Sequence, residues 1–407
     1  MKPKTNRRSR GAALLVGVAL LLGVTAPVEA QGVAPVSEVE VSYTFGEKIT
    51  FKGRVAPGAS ALSINLQIPG DVQSLTADVT PDAAGGFEYA HLISERFVQA
   101  FSTVEFRFFA TLADGQVVGS DIFTFYYEDN RFGWQVLEAA PFRVHWYAGD
   151  AAFAQAVLDA AEFGRTRASD TLGVGGPGLV DIYAYGSLAD YQFMRGQLGQ
   201  LWAGGHADPA AGLIIVSLPP GAEQQLEIER KIPHEVGHLV LYQATGAGFW
   251  NLPPWLNEGF ASLMETFPNP DYAFLVNAGL ADGTLIPLAD LCEAFPRDAS
   301  GALLAYAESA SFVGYVLERY GPAGLRTLVE GYAGGAGCEF GPQGPPFNTT
   351  LAALESDWQT RLAVPPAPVD VPAPAADLLP WLAITAATLL GPVLLLAGML
   401  FKRREVR

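Results

Sequence analysis

Between residues 31 and 132, apolar and polar residues alternate with a period of two. The alternating runs are separated by turns rich in Gly, Pro and Asp, and they cover 39–45, 49–55, 62–68, 104–110 and 123–127. Successive side chains of a strand point to opposite faces, so this pattern predicts strands with one buried face. Several short strands of this kind are typical of a β-sandwich, which we predict over residues 31–132. No cluster of residues there resembles a functional site, and a spacer or carrier role is the simplest interpretation.

From residue 133 the pattern mixes strand-like and helical spacing. Strands are predicted over 142–147, 179–185 and 211–218, and helices over 151–171, 234–243 and 306–321. The last of these helices carries apolar residues at helical spacing and ends on a glycine. Strands and helices in this order predict an α+β domain, which we place at residues 133–363.

The two ends of the chain have the composition of targeting and membrane segments. Residues 1–30 combine a basic head, an apolar run over 11–24 and a small residue, Ala30, suited to cleavage. They predict a secretory signal peptide, with an uncleaved membrane anchor as the alternative. Residues 364–377 are rich in Pro and Ala and predict an extended linker.

Residues 378–401 form an apolar run without a charge, and Lys402-Arg403-Arg404 follows it. A run of this length spans a bilayer, and a basic cluster belongs on its cytoplasmic side. The sequence therefore predicts a single C-terminal transmembrane helix and a short cytoplasmic tail over 402–407. The expected location is a cell membrane, with the N-terminal ectodomain outside and a bacterial surface as the expected setting.

Composition and charge narrow the range of partners. The chain has 407 residues and a net charge of −17, which argues against nucleic-acid binding because that needs a basic surface. The only two cysteines, Cys292 and Cys338, lie beyond the predicted signal peptide, where an oxidising compartment permits one structural disulfide. The sequence leaves open whether that disulfide forms, and it leaves open the oligomeric state.

The candidate chemistry lies in one helix. His234, Glu235 and His238 form an H-E-x-x-H motif, and Glu258 follows with nineteen residues in between. On a helix the two histidines lie one turn apart on one face, where neutral imidazoles can bind one Zn²⁺. Glu235 is placed to take a proton from water at the metal. Glu258 is the predicted third ligand, and the fourth position stays open for water.

Three further features refine this prediction. Pro233 disfavours a helix interior, so we expect the helix to begin or kink there. The charged segment 224–231 before the motif excludes an intramembrane protease. His145 and His206 lack a partner at metal-ligand spacing and are expected to be structural, with a substrate contact as the alternative for His206.

The H-E-x-x-H motif and Trp255-Leu256-Asn257-Glu258-Gly259-Phe260-Ala261 together resemble the gluzincin metallopeptidases, the clan of thermolysin and the M1 aminopeptidases, and most closely the peptidase MA-like domains. The resemblance covers residues 141–363. It implies a zincin-like fold, one zinc ion on His234, His238 and Glu258, and Glu235 as general base. It also implies an oxyanion donor, for which Tyr306 is the candidate and Tyr315 the reserve.

The resemblance also concerns the substrate. It implies that the 211–218 strand borders the cleft and receives a peptide or protein substrate by β-augmentation. The chain lacks the G-x-M-E-N loop of M1 aminopeptidases, so aminopeptidase specificity is not expected. We therefore predict a membrane-anchored, extracytoplasmic zinc metallopeptidase. The alternatives are a non-catalytic receptor or adhesion protein on a protease scaffold, and a zinc hydrolase of non-peptide substrates.

Overall fold

The computed structural model describes residues 34–196 and 204–364, which form two compact units with a boundary between Phe132 and Gly133. The predicted signal peptide, the transmembrane segment, the tail and nearly all of the linker lie outside the described residues. Within those residues, no helix combines the length and apolar character needed to cross a bilayer.

The N-terminal unit consists of two antiparallel sheets. Its strands are β1 (Val36–Thr44), β2 (Lys48–Val55), β3 (Ala59–Gln67), β4 (Leu75–Val79), β5 (Gly86–Leu92), β6 (Ser102–Leu112), β7 (Val117–Gly119) and β8 (Phe123–Tyr127). One sheet has the order β1-β2-β5. The other has the order β4-β3-β6-β7, with β8 also paired to β6.

Aromatic side chains from both sheets fill the core of this unit. The ring of Phe51 on β2 lies 4.8 Å from that of Phe106 on β6, and the ring of Phe87 on β5 lies 4.9 Å from that of Phe108. Phe51, Phe106 and Phe108 occupy apolar positions of the alternating runs, and Phe51 and Phe108 have no exposed surface. The period-two pattern therefore produces the predicted one-sided strands of an all-β unit.

The C-terminal unit contains a five-stranded mixed sheet. Its strands are β9 (Gln135–Ala139), β10 (Phe142–Trp146), β11 (Val180–Tyr185), β12 (Gly205–Asp208) and β13 (Leu213–Ser217). The order across the sheet is β12-β13-β11-β10-β9. Strands β10, β11 and β13 are parallel, whereas β9 and β12 are antiparallel edge strands.

The position of β13 corrects one sequence expectation. The 211–218 strand was expected to receive substrate, but β13 pairs with β11 on one side and with β12 on the other. Its backbone groups are therefore already engaged in the sheet, and it cannot accept a further strand. Among the described strands, the outermost one on this side is β12.

Seven helices complete the described part of the C-terminal unit. They are α1 (Ala151–Leu172), α2 (Leu188–Arg195), α3 (Gln224–Thr245), α4 (Pro254–Met264), α5 (Asp271–Asp282), α6 (Ala299–Ala333) and α7 (Leu351–Leu362). Helix α6 runs well beyond the predicted 306–321 segment and is kinked at Gly321, before Pro322. A disulfide between Cys292 and Cys338 closes a segment that contains the whole of α6.

Helix α3 corrects a second expectation. It begins at Gln224 and passes through Pro233, rather than beginning there. Proline has no N–H, so the carbonyl of Glu229, one turn earlier, loses its helical hydrogen bond. In this fold the backbone N–H of Thr266 donates to that carbonyl at 3.0 Å, which compensates for the loss. The tertiary contact makes an interior proline tolerable.

Candidate metal centre

Helix α3 places the two histidines of the motif as the spacing predicts. His234 and His238 lie one turn apart, and their ring centroids are separated by 5.0 Å. Both are largely buried, with side-chain exposures of 14% and 10%. The helix thus presents two imidazoles side by side in a site with little solvent.

Helix α4 brings Glu258 to these rings through close packing at two glycines. A Cβ on Gly237 of α3 would lie 3.1 Å from the Cα of Ala261 on α4. A Cβ on Gly259 would lie 2.4 Å from the carbonyl oxygen of Ser309 on α6. The small residues of the two motifs therefore permit the close helix approaches that fix the position of Glu258.

The three candidate ligands have the separation that a metal ion needs. Glu258 Oε2 lies 3.3 Å from His234 Nε2 and 3.7 Å from His238 Nε2. Ligand atoms about 2.1 Å from a tetrahedral zinc are about 3.4 Å apart. This oxygen is buried and forms no hydrogen bond of acceptable geometry within the described residues. A buried carboxylate oxygen facing two imidazole nitrogens fits a metal site. His234, His238 and Glu258 are the candidate group among the described residues.

The far nitrogens of both rings are held by other side chains. His238 Nδ1 lies 2.9 Å from Asn257 Oδ1, and His234 Nδ1 lies 3.1 Å from Glu265 Oε1. Such contacts fix ring orientation and leave Nε2 free to bind a metal. The sequence analysis assigned no role to Glu265, which directly follows the last residue of α4. Its spacing is the signal that could have found it, because seven residues after Glu258 corresponds to two helix turns.

The candidate base, Glu235, is buried beside this group, with 7% of its surface exposed. Burial raises the pKa of its carboxyl, against the opposing charges of His234 and His238. A raised pKa suits a group that must accept and return a proton. The backbone of Gly205 on the edge strand β12 passes so close that a Cβ there would lie 2.2 Å from Glu235 Oε1. The edge of the sheet therefore borders Glu235 directly.

The two tyrosine candidates lie in different places. The Tyr306 hydroxyl hydrogen-bonds to Glu258, and the Tyr306 ring lies 6.4 Å from that of His234. Burial raises the pKa of Tyr306 well above its usual value. The reserve candidate, Tyr315, instead packs on Phe312, and the charged groups that act on it are Arg319 on α6 and Asp357 and Arg361 on α7. The structure therefore brings Tyr306 to the histidines and leaves Tyr315 outside the site.

The remaining histidines also differ. His145 lies on β10 with Nε2 2.6 Å from Asp181 Oδ1, in the structural role expected of it. His206 lies on β12, and burial lowers its pKa to about 4, so the ring is neutral at pH 7. The charges of His238 and Glu258 act on its pKa as well, which places His206 beside the candidate metal centre.

Comparison with known proteins agrees with this geometry. A family model described as the Peptidase MA superfamily matches residues 160–364, or 205 of the 407 residues. The chain belongs to the Peptidase MA superfamily. The matched segment contains α3, α4 and α6, and hence each of the candidate metal ligands. The Peptidase MA domain of this chain thus has a metallopeptidase-like fold, in a superfamily whose members are typically metal-dependent.

No curated protein matches the chain significantly. Among solved structures, a Br derivative of BhCBM56 is 16% identical, covers 23% of this chain and 95% of its own, and has a TM-score of 0.19. A polysaccharide deacetylase from Bacillus cereus is 8% identical, covers 37% of this chain and 51% of its own, and has a TM-score of 0.20. TM-scores this low give no basis for transferring fold or function.

Proposed function

We propose that this protein is a zinc-dependent metallopeptidase of the gluzincin type that hydrolyses peptide bonds. The observation that carries the proposal is the group formed by His234, His238 and Glu258, with Glu235 buried beside it. Two imidazoles and a carboxylate are the ligand set of catalytic zinc sites that keep one position open. When bound there, zinc supplies Lewis acidity toward a water molecule and a substrate carbonyl.

Glu235 is the proposed general base. Its carboxylate would accept a proton from the water as the water oxygen attacks the carbonyl carbon of the scissile bond. It would then return the proton to the amide nitrogen as the C–N bond breaks, which leaves one new carboxyl and one new amine. The low exposure of Glu235 favours this role because few competing waters reach the carboxylate.

Two other residues are assigned supporting roles. Tyr306 is the proposed donor to the oxyanion, because its hydroxyl lies against the ligand carboxylate of Glu258. Asn257 and Glu265 are positioning residues that hold His238 and His234 by their Nδ1 atoms. Asn257 and Glu258 are adjacent residues within α4, so one rigid helix fixes both the ligand and the positioning residue.

The edge strand β12 is the proposed contact for the substrate backbone. Its outer edge is not paired within the described sheet, and its Gly205 lies against Glu235. An extended peptide added to this edge would pass directly by the base, bound by main-chain hydrogen bonds that demand little of its side chains. This assignment replaces the 211–218 strand of the sequence prediction with its neighbour.

The proposed location is an extracytoplasmic membrane surface, with the peptidase outside and residues 378–401 as the anchor. The apolar character of that segment and the basic residues after it support the proposal. Fractionation of cells that express the full chain tests it. Recovery in the membrane fraction after washing with salt and carbonate is expected, and recovery in the soluble fraction would contradict it.

The test of the activity uses the full-length chain loaded with zinc and a mixed library of internally quenched peptides. Wild-type protein is expected to cleave, whereas Glu235→Gln is expected to retain its zinc and lose at least about 10³-fold in kcat. Glu318→Gln is the matched control, because Glu318 is an exposed residue that pairs with Arg361. If wild type and Glu235→Gln cleave equally, or wild type binds zinc and cleaves nothing, the proposed function is wrong.

A further inference from the structure

Arg195 is an ionised side chain near the candidate metal centre that the proposed mechanism does not use. It is the last residue of α2, which begins after the N-cap Ser187 and is followed by the C-cap Gly196. Its charge lowers the pKa of His206 on β12, second only to burial, and it also lowers the pKa of Glu235 on α3. Helices α2 and α3 both pack against β13, the strand paired with β12, and this packing agrees with a charge that acts on both residues.

The guanidinium of Arg195 has no partner in the described part of the chain. No carboxylate there forms an ion pair with it, and no side chain accepts a hydrogen bond from it. Arginine presents five donors in a fixed fork that matches the two oxygens of a carboxylate. In a protein with a net charge of −17, an unpaired arginine beside the proposed base is an unusual arrangement.

A second polar group on the same helix face also lacks a partner. Tyr191 lies four residues before Arg195, so the two side chains are neighbours on α2. Its side chain is 2% exposed, and its hydroxyl is buried without a hydrogen bond in the described residues. Burial raises the pKa of Tyr191 well above its usual value, and the charges of Arg195 and Glu235 also act on it. Buried hydroxyls are normally satisfied, so this one points to a missing acceptor.

We infer that Arg195, with the hydroxyl of Tyr191, binds a carboxylate of the substrate near the proposed base. A carboxylate would supply acceptors to both unpartnered groups. The inference rests on the proposed function and deepens it, because it gives the substrate class as peptides with a negative charge close to the scissile bond. The charge has two possible sources, the C-terminus of the peptide or the side chain of Asp or Glu.

Binding to the metal-free, full-length chain tests the site without activity and without a metal that could itself bind the carboxylate. An N-acetylated peptide that ends in a free carboxylate and contains one Asp is compared with its C-terminal amide and with its Asp→Asn version. The peptide with both carboxylates is expected to bind about 10- to 100-fold more tightly than one of the two versions that lack a carboxylate. If the C-terminal amide binds more weakly, the recognised carboxylate is the C-terminus. If the Asp→Asn version binds more weakly, it is the side chain.

Variants connect the preference to this site. Arg195→Gln is expected to abolish the difference between charged and neutral peptides, whereas Arg195→Lys keeps part of it because the charge remains. Arg319→Gln is the matched control, because Arg319 is an exposed arginine on α6. Binding that does not distinguish charged from neutral peptides, a preference that survives Arg195→Gln, or no binding of the charged peptide would each overturn the inference.

Cleavage by the zinc-loaded enzyme separates this inference from the proposed function. If the enzyme cleaves, a C-terminal anchor predicts cuts at a fixed distance from the end of the peptide, and a side-chain anchor predicts cuts at a fixed distance from Asp or Glu. In both cases Arg195→Gln should raise KM for charged substrates and leave kcat/KM for neutral ones within about threefold. An equal loss for both substrate types would overturn the inference. If the enzyme cleaves nothing while the Arg195-dependent binding holds, the proposed function fails and the carboxylate site stands.

Discussion

The close contact between α4 and α6 predicts that Gly259→Ala separates the metal ligands. The new Cβ would lie 2.4 Å from the carbonyl oxygen of Ser309 and 2.7 Å from Val313 Cγ2. Ordinary C···O contacts are about 3.3–3.6 Å, so α4 would have to move about 1 Å away from α6. Overpacking of this kind costs about 1–3 kcal/mol of folding stability.

The same movement should weaken metal binding. Glu258 is the next residue along the helix, and metal sites tolerate deviations of only about 0.2 Å in ligand distance. Glu258 Oε2, now 3.3 Å from His234 Nε2, would leave its position beside the imidazoles. We therefore expect Gly259→Ala to lower zinc affinity at least about 10-fold, in addition to its effect on stability.

Gly314→Ala is the matched control for this experiment. Gly314 also lies within a helix, α6, but a Cβ there would meet only Leu263 Cδ2, at an ordinary distance of 3.6 Å. The helix propensity of alanine alone should then stabilise the protein by about 0.5–1 kcal/mol. Urea unfolding of the metal-free chain gives the stability, and competition with a chromophoric chelator gives the zinc affinity. If Gly259→Ala matched Gly314→Ala in both measurements, the close packing of α4 on α6 would not position Glu258.

Three further predictions concern the base, the ligands and a buried acid. The Cβ added by Gly205→Ala would lie 2.2 Å from the Glu235 carboxylate and should displace it. We expect kcat to fall at least about 10-fold while the unfolding midpoint stays the same. An unchanged kcat would contradict this contact. Asn257→Ala should lower zinc affinity about 10- to 100-fold, because the His238 ring loses its partner. Competition with a chelator measures the affinity, and an unchanged value would contradict the prediction. Burial raises the pKa of Glu308 from 4.5 to about 7, so the contribution of this carboxyl to stability should be complete below pH 4.5 and fall by up to about 3 kcal/mol as the pH rises through 7. Glu308→Gln should remove this pH dependence in urea unfolding, and a slope retained by the variant would refute the assignment.

Local sequence patterns predicted the parts of the molecule that local geometry determines. The spacing of His234 and His238 predicted the shared face of α3, because a helix turn is the same in any fold. Period-two alternation predicted five of the eight strands of the N-terminal unit and missed β4, β5 and β7. The glycines of both motifs, Gly237 and Gly259, could be expected to allow close packing, although the sequence does not say which helix approaches them.

Long-range contacts account for what the sequence did not predict. Pro233 indicated a helix start, but the Thr266 N–H, distant in sequence, satisfies the carbonyl that the proline leaves free. The family resemblance implied that the 211–218 strand borders the cleft, whereas the strand next to Glu235 is the four-residue β12, which has no alternating pattern. Glu265 and Arg195 stand outside any motif, and only the packing of their helices brings them to the histidines and to Glu235.

The central claim is that His234, His238 and Glu258 hold one zinc ion, and X-ray absorption at the zinc edge on the full-length chain tests it most directly. One zinc per chain is expected, with two imidazole nitrogens and a carboxylate oxygen at about 2.0–2.2 Å. His238→Ala is expected to lose the second imidazole signal and most of the bound metal. A wild-type chain that binds no zinc, or a His238→Ala chain that binds it with an unchanged spectrum, would contradict the claim.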